Sequence, residues 1–334
     1  MGRVDGDRPG LCGCRETGAS RDVSALTVGV DLGGTNTRAG LVTDTGKVVA
    51  RFRCPTRPDL GSDRVISGIA TCVRQVLREA GGTEVRGVGV GAPGPLDPFN
   101  GVIISPENMP CMHGVRLKDR LEAVLEMPVA VDNDANLAAF GEQWQGAGRK
   151  APHFLCVTLG TGVGGGWVCN GELMHGFNGN AAEVGHVTID WNGPRCPCGN
   201  YGCLELYVSA TAMVRRTRER LETETPETLL TAGGLTTQAI FEAAEAGDAF
   251  ARGMFEETGA LLGIGLVSLV SVTNVEVVAL CGGLARAGER LFAPVRRTFQ
   301  ERGTVGVKER VQIVAGMLGD DAGILGAARL AIGA

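Results

Sequence analysis

One histidine and three cysteines stand close together in the chain. They form an H-x9-C-x-C-x4-C pattern made of His186, Cys196, Cys198 and Cys203. Three thiolates and one imidazole are a complete tetrahedral ligand set for structural zinc. The prolines and glycines between them allow the necessary turns, so the pattern predicts Zn²⁺ in the loop 186–203. Clustered reduced thiols without metal are the alternative.

Two glycine-rich turns each follow an apolar strand. The first is Asp31-Leu32-Gly33-Gly34-Thr35-Asn36-Thr37, and the second is Leu159-Gly160-Thr161-Gly162-Val163-Gly164. Glycines let backbone N–H groups approach a phosphate, and the Thr and Asn side chains add hydrogen-bond donors. The turns predict two phosphate-binding hairpins, with Asp31 close to a Mg²⁺ ion. Plain glycine-rich hairpins are the alternative.

The second turn also contains a G-x-G-x-x-G match, which is typical of dinucleotide-binding folds when a helix follows. The residues after it, 167–169, have the pattern of a strand, which disfavours that interpretation. A further glycine pair, Gly282-Gly283, follows a buried strand near the C-terminus. It would admit a flat nucleotide base, or it is an ordinary strand-to-helix turn.

Asp134 is the candidate catalytic base. It follows a short strand, lies next to Asn133 and begins a helix. A carboxylate there can accept a proton from an alcohol during phosphoryl transfer. A plain N-cap aspartate is the alternative at this position.

Two glutamates flank the histidine–cysteine cluster. Glu183 precedes His186 by three residues, and Glu205 follows Cys203 by two. Carboxylates beside a rigid metal loop can bind sugar hydroxyls, although isolated glutamates are mostly solvated surface charges. The other histidines have no partner spacing and are assigned structural or surface roles: His113, His153 and His175.

The elements that must position these residues alternate between strands and helices. In the first half, strands are predicted at 26–30, 38–42, 48–53, 85–90 and 129–131, with helices at 63–80 (capped by Ser62) and 115–126. In the second half, strands are predicted at 154–159, 167–170, 275–280 and 311–314, with helices at 205–221, 236–246 and 249–272. Each half opens with a strand, a glycine turn and a second strand. This repetition predicts a duplicated α/β fold with two similar domains around a central cleft.

The predicted organisation divides the chain into a tail at 1–24, a small domain at 25–134 and a large domain at 135–319, with a C-terminal helix at 320–334 that completes the small domain. The tail is polar and aperiodic, which predicts disorder. It carries Cys12 and Cys14, interpreted as inert thiols rather than metal ligands. The first 24 residues also lack the apolar region of a secretory signal.

Composition excludes several function classes. The 334 residues include 44% hydrophobic and 21% charged residues, which is ordinary for a globular protein with a sizeable core. The formal net charge of −5 argues against a nucleic-acid-binding surface. Uninterrupted apolar runs of about 20 residues are missing, so no membrane span is expected. Eleven cysteines without a secretory signal predict a reducing, cytoplasmic location. The 52 glycines are expected in turns and at close backbone approaches to a ligand.

Together these motifs resemble the ROK family of sugar kinases and repressors, most closely its bacterial glucokinases. The most specific match is Cys196-Pro197-Cys198-Gly199-Asn200-Tyr201-Gly202-Cys203-Leu204-Glu205, which looks like the family signature C-x-C-G-x-x-G-C-x-E, preceded by Gly185-His186. The resemblance covers residues 26 to about 332. It implies an actin-like ATPase fold of two RNase H-like domains with a structural zinc loop.

The resemblance also implies roles for individual residues. It makes residues 31–37 and 160–164 the phosphate hairpins, puts Gly282 and Gly283 near the adenosine, and makes Asp134 the base. The implied sugar contacts are Asn108, Asn133, Asp134, Glu183, His186 and Glu205. Asn36 stands where many members have lysine, which removes one positive charge near the phosphates.

The implied activity is ATP-dependent phosphorylation of D-glucose to glucose 6-phosphate, with Mg²⁺ and structural Zn²⁺, in a homodimer. Alternatives within the class are kinases for N-acetylmannosamine, N-acetylglucosamine or fructose. A sugar-sensing repressor needs a DNA-binding domain before residue 26, and about 25 residues are too few for it. A filament or chaperone ATPase would have no use for the zinc cluster and the sugar carboxylates.

Overall fold

The computed structural model describes residues 25–333 and contains two five-stranded mixed sheets. The predicted tail, including Cys12 and Cys14, lies outside the described residues. The strands are β1 (Leu26–Leu32), β2 (Asn36–Thr43), β3 (Val48–Pro55), β4 (Val85–Ala92), β5 (Leu96–Asp97), β6 (Val102–Ile103), β7 (Val129–Asn133), β8 (Phe154–Leu159), β9 (Val163–Cys169), β10 (Glu172–Leu173), β11 (Val277–Cys281) and β12 (Gln312–Ala315).

Helices separate and flank these strands. They are α1 (Ser62–Leu77), α2 (Leu117–Leu125), α3 (Asp134–Gln145), α4 (Glu205–Val208), α5 (Ala210–Glu224), α6 (Thr237–Glu245), α7 (Ala249–Thr273), α8 (Glu289–Arg302) and α9 (Ala322–Ile332). The predicted α/β class is therefore confirmed.

The two sheets repeat one topology. The first has the order β3-β2-β1-β4-β7 and the second has the order β10-β9-β8-β11-β12. In each, three antiparallel strands are followed by two strands parallel to the first strand of the set. Each glycine-rich turn therefore joins the first two strands of its sheet, and both turns occupy the same position in their halves.

Glycines let α9 pack directly on backbone. A Cβ atom at Gly29 of β1 would lie 1.9 Å from the carbonyl oxygen of Ile324, and one at Gly89 of β4 would lie 1.8 Å from that of Ala327. A Cβ at Gly326 on α9 would lie 1.7 Å from the carbonyl oxygen of Leu137 on α3. Such distances exclude any side chain. Part of the glycine excess therefore serves helix packing, in addition to the turns and ligand approaches expected from the sequence.

Several predicted boundaries differ from the structure for local reasons. Helix α1 begins at Ser62, and Gly61 is its N-cap residue, so Ser62 is not the cap. The predicted helix at 205–221 is broken at Ser209, whose side chain accepts a hydrogen bond from the N–H of Ala212 and starts α5. Strand β9 begins at Val163, four residues earlier than predicted. Gly166 lies within this strand. A Cβ atom there would lie 2.5 Å from the Cβ atom of Ala139, so the glycine allows α3 to pack closely against the strand.

Helix α7 is long and apolar enough to cross a membrane by length and composition alone. Half of its most apolar window is buried within the protein. Leu262, Leu266 and Val270 on this helix belong to the core of the second half, together with Leu155 and Val157 of β8. The helix therefore contributes directly to packing against the second sheet.

Candidate functional site

The junction between β7 and α3 presents Asp134 to a cleft. The side-chain oxygen of Asn133 accepts hydrogen bonds from the N–H groups of Ala135 at 2.9 Å and Asn136 at 3.3 Å, and Asn133 is the N-cap of α3. Asp134 is the first helical residue, so its interpretation as an N-cap is wrong. Because Asn133 provides the cap, the Asp134 carboxylate can face the cleft.

A cavity of about 570 Å³ opens on one side of Asp134; we call it the large cleft cavity. Its wall brings together residues from both halves, among them Asp31, Asp134, Thr158, Gly282 and Gly283. The sequence-predicted Mg²⁺ residue, the candidate base and the predicted adenosine glycines therefore line one space. Its size suits a nucleotide-sized ligand.

Asp31 and Asp134 both have perturbed acidities. The side chain of Asp134 is exposed to solvent within the cleft, yet the protein on both sides of the cleft reduces its hydration. This desolvation raises the pKa of Asp134 to about 6, and the negative charges of Asp31 and Glu183 also raise it. Burial raises the pKa of Asp31 too, while nearby Arg38 opposes the rise. A carboxylate with a pKa near neutrality is suited to general base catalysis.

Arg38 is a residue of the site that sequence analysis missed. Its Nη1 atom lies 3.6 Å from Asp31 and 3.4 Å from Asp320, and its side chain lines the large cleft cavity. It lies two residues after Asn36 on β2, so alternation along the strand puts both on one face. That alternation was the available signal, and Arg38 supplies positive charge to the wall of the large cleft cavity.

The first glycine-rich turn is held by its own sheet. The N–H of Gly33 donates to the carbonyl oxygen of Asn36 at 3.1 Å, and Thr56 donates its hydroxyl to the carbonyl of Gly33 at 2.6 Å. The hydroxyl groups of Thr37 and Thr56 lie 3.1 Å apart, and Thr37 is fully buried. The Thr37 hydroxyl therefore faces the interior and is not available to a phosphate in this arrangement. Thr35 is exposed at the tip of the turn.

The second glycine-rich turn is held from outside its sheet. The N–H of Val163 donates to Glu205 Oε2 at 2.7 Å, and the N–H of Ala210 donates to the carbonyl oxygen of Gly160 at 2.9 Å. Thr161 is exposed at its tip. The predicted sugar ligand Glu205 therefore contacts this turn, and it is not among the residues that line the cavities beside Asp134.

A second cavity of about 100 Å³, the small cleft cavity, lies on the other side of Asp134. Asn133, Asp134, Gly164 and Glu183 are on its wall, so four predicted residues from three separate segments meet there. Asn108 is exposed and is not part of this wall. Two carboxylates and an amide in an enclosed space provide the acceptors and donors that a sugar's hydroxyl groups need.

The four predicted metal ligands converge. Their ligand atoms all lie within 4.8 Å of one another. Cys198 Sγ lies 3.7 Å from Cys203 Sγ, and Cys196 Sγ lies 3.8 Å from His186 Nδ1. Four tetrahedral bonds of about 2.3 Å to sulfur would separate the sulfur atoms by about 3.8 Å, so the set fits a zinc ion. The other ring nitrogen, His186 Nε2, faces Glu183 Oε2 at 4.0 Å.

Another open groove lies elsewhere on the surface. It has a volume of about 680 Å³ and runs between α6, α7 and α8, with Phe241, Arg252 and Pro294 among its lining residues. None of the sequence-predicted site residues is on its wall. Ion pairs such as Arg290–Glu245, at 2.7 Å, already pair charges along it. The predicted site residues that line a cavity are therefore in the cleft around Asp134.

The sequence model of the ROK family matches residues 27–334 of the chain. A glucokinase from Halalkalibacterium halodurans is 38% identical over 307 residues, which are 90% of this chain and 92% of that protein. The match therefore extends across both sheets and the cleft between them.

Two solved structures are similar along almost the whole chain. A ROK hexokinase from Thermus thermophilus has a TM-score of 0.79 and 34% identity, covering 92% of this chain and 98% of that one. A ROK glucokinase from Streptomyces griseus, in complex with glucose and AMPPNP, has a TM-score of 0.77 and 35% identity, covering 92% of this chain and all of that one. Fold and sequence thus agree on one family.

Proposed function

The chain belongs to the ROK family, and on that premise we propose that it transfers the γ-phosphoryl group of ATP to the 6-hydroxyl group of D-glucose. One observation carries the proposal. Among the residues that the structure describes on the two cavity walls, Asp134 is the only ionisable side chain common to both. A carboxylate between a nucleotide-sized cavity and a small polar one can take a proton from an alcohol on one side as phosphoryl transfer proceeds from the other.

The large cleft cavity would take ATP. The two glycine-rich turns would donate N–H groups to the phosphates, with Gly282 and Gly283 beside the adenosine. Asp31 would hold Mg²⁺ there, directly or through water, and the ion would supply positive charge that stabilises the phosphates. Arg38, which lies 3.6 Å from Asp31, holds that carboxylate and adds positive charge to the wall.

The small cleft cavity would take the sugar. Asn133, Asp134 and Glu183 would bind its hydroxyl groups. His186 Nε2 faces Glu183, so the imidazole can bind zinc through Nδ1 and still contribute a hydrogen bond on the sugar side. Glu205 and Asn108 would reach a hydroxyl only after local movement, because Glu205 contacts Val163 and Asn108 is exposed.

Zinc would be held by His186, Cys196, Cys198 and Cys203, a closed set with no open coordination position. Its contribution would be structural, because no position is left for substrate.

We further propose that residues 25–134, completed by 320–334, and residues 135–319 form two domains that close over the substrates and exclude water. The packing of α9 against β1 and β4 supports including residues 320–334 in the first domain, and α9 also packs against α3 of the second. A homodimer, a cytoplasmic location and the absence of nucleic-acid and membrane partners stay predictions.

We propose glucose as the substrate, rather than another hexose, because the similar protein from Streptomyces griseus was solved with glucose and AMPPNP. The alternatives are a kinase for N-acetylmannosamine, N-acetylglucosamine or fructose, and a sugar-sensing protein without kinase activity. A coupled ADP-release assay over these sugars separates them. Glucose should give the highest kcat/KM; a higher value for another hexose would change the substrate, and no release with any of them would reject the kinase.

Asp134→Asn tests the base directly. The amide keeps the size and most hydrogen bonds but cannot accept the proton, so kcat should fall by about 10²–10⁴-fold while glucose binding survives. In the unaltered enzyme, kcat should also decrease as the pH falls through about 6, because protonation removes the base. A variant that retains more than about a tenth of the normal turnover would exclude Asp134 from this role.

A further inference from the structure

We propose that His175 is a positioning residue for the sugar side of the cleft, acting through Asp132. The proposal rests on the proposed function, since it concerns the same site. His175 lies near the start of a segment that continues to Glu183, here called the His175 loop (residues 174–183). Its imidazole Nε2 lies 2.6 Å from Asp132 Oδ2 at the end of β7. The contact joins the second half of the chain to the strand that immediately precedes the candidate base.

Asp132 connects His175 to the residues around Asp134. Its side chain is 1% exposed. Its second oxygen, Oδ1, accepts hydrogen bonds from the N–H of Asn133 at 2.6 Å and from Nδ2 of Asn136 at 3.0 Å. A buried carboxylate needs such partners to offset its lost hydration. His175 is the partner in this network that can carry a positive charge, so its loss would leave Asp132 incompletely compensated and loosen the β7–α3 junction.

The same residue also holds the wall of the small cleft cavity. The carbonyl oxygen of His175 accepts a hydrogen bond from the N–H of Ala181 at 3.1 Å, and Ala181 lines that cavity. Gly179 lies so close to Pro98 that a Cβ atom there would be 2.2 Å from Pro98 Cδ. The imidazole ring packs edge-on against Phe99, with 5.9 Å between ring centroids. The His175 loop is therefore fixed against the first half at its beginning and its middle.

The contact has a definite charge dependence. Asp132 on β7 is the charged group that faces the imidazole, and the neighbouring Phe99 ring carries no charge. The hydrogen bond to Asp132 raises the pKa of His175 above its ordinary value, although burial opposes the rise. The stabilisation is therefore complete at low pH and is lost as the pH rises through the raised pKa. The glucose KM should accordingly rise as the pH becomes alkaline. The fall in kcat at acid pH, by contrast, is assigned to protonation of Asp134.

Steady-state kinetics on His175→Ala and His175→Gln, between pH 6 and 9, test the proposal. A stranded buried group typically costs a factor of about 5–150. His175→Ala should raise the glucose KM within that range and leave the ATP KM within about twofold. His175→Gln retains an N–H donor without the charge; it should restore most of the affinity near neutral pH and abolish the alkaline rise in KM. The exposed His113, changed to Gln, is the matched control and should leave both constants unchanged.

The outcomes separate this proposal from the proposed function. Unaltered protein that phosphorylates none of the hexoses would reject the kinase, whatever His175 does. An active enzyme whose His175→Ala variant has normal constants and only a lower Tm would assign His175 a purely structural role and overturn the proposal. An alkaline rise in KM that persists in His175→Gln would overturn it equally.

Discussion

The two glycine-rich turns occupy equivalent positions in two sheets of the same topology, yet they are held in different ways. The turn after β1 is anchored by Thr56, which directly follows β3 of the same sheet. The turn after β8 is anchored by Glu205, which belongs to the segment of the histidine–cysteine cluster. Glu205 follows the predicted ligand Cys203 by two residues. The second turn therefore depends on that cluster, and the first does not.

This difference connects the histidine–cysteine cluster with the second glycine-rich turn, two predicted sites that are separate in the sequence. The segment that contains the four candidate metal ligands is followed by the carboxylate that holds the second glycine-rich turn. Glu205→Ala would then affect the ATP constants as well as the glucose constants. Glu183 has no such contact with either turn and lines only the small cleft cavity. Among the two glutamates, Glu183 is therefore the cleaner probe of sugar binding.

Loss of the proposed zinc ion should give the largest effect. Structural zinc sites bind with roughly 10–16 kcal/mol in small domains, so Cys198→Ala or strong chelation should disorder the loop and abolish zinc and glucose binding. Hydrogen exchange should accelerate at the N–H of Val163 and stay slow at Gly33. Cys111→Ala, outside the cluster, is the control. Active enzyme without zinc by elemental analysis would contradict the site, and equal exchange at both amides would contradict the asymmetry.

A matched pair of alanine substitutions in the two turns should give the next largest difference. A Cβ at Gly162 would lie 2.5 Å from Glu205 Oε2, whereas one at Gly34 meets nothing within 4 Å. Displacing the carboxylate should reduce the free energy of unfolding by about 1–3 kcal/mol in Gly162→Ala. Gly34→Ala should change it by no more than about 0.5 kcal/mol. Denaturant unfolding measures both, and equal losses would show that the turns are anchored alike.

Thr56→Val removes the side-chain anchor of the first turn at nearly constant volume. The hydroxyl makes one hydrogen bond to Gly33 and one contact with Thr37, so the loss should be about 0.5–1.5 kcal/mol per hydrogen bond. Because this anchor lies within the first sheet, the glucose KM should stay unchanged. Urea denaturation and steady-state kinetics on the one variant test both statements. A raised glucose KM would show that the first turn is also connected to the sugar side.

The smallest expected effect is the change in the pKa of Asp134 when a neighbouring negative charge from either half is removed. Asp31 comes from the first half and Glu183 from the second, and both raise the pKa of Asp134, Asp31 more strongly. Removing a neighbouring negative charge favours the ionised carboxylate, so Asp31→Asn and Glu183→Gln should each lower that pKa. Carboxyl ¹³C NMR titration without nucleotide measures the shifts. A larger shift in Glu183→Gln would reverse the order of the two halves.

Local pattern was sufficient for much of the fold and for the cluster. Strand β8 was predicted at its observed bounds, because an apolar run that ends in glycines leaves little choice of conformation. His186 and the three cysteines converge because they lie within 18 residues and the intervening glycines and prolines permit the turns. The same short-range reasoning misassigned the cap of α3, since Asn133 and Asp134 are both favourable N-cap residues and only the backbone decides between them.

The sequence by itself determined the residue types, their local turns and the duplicated order of strands. Tertiary structure decided where three side chains act: Glu205 on Val163, Arg38 beside Asp31, and His175 on Asp132. Two of these contacts join residues more than 40 positions apart. Hydrophobic periodicity reports which face of an element is buried, but it carries no information about which distant element packs there. The direction of a polar side chain at such a meeting is set by the partners that the fold supplies, because a buried charge must find one.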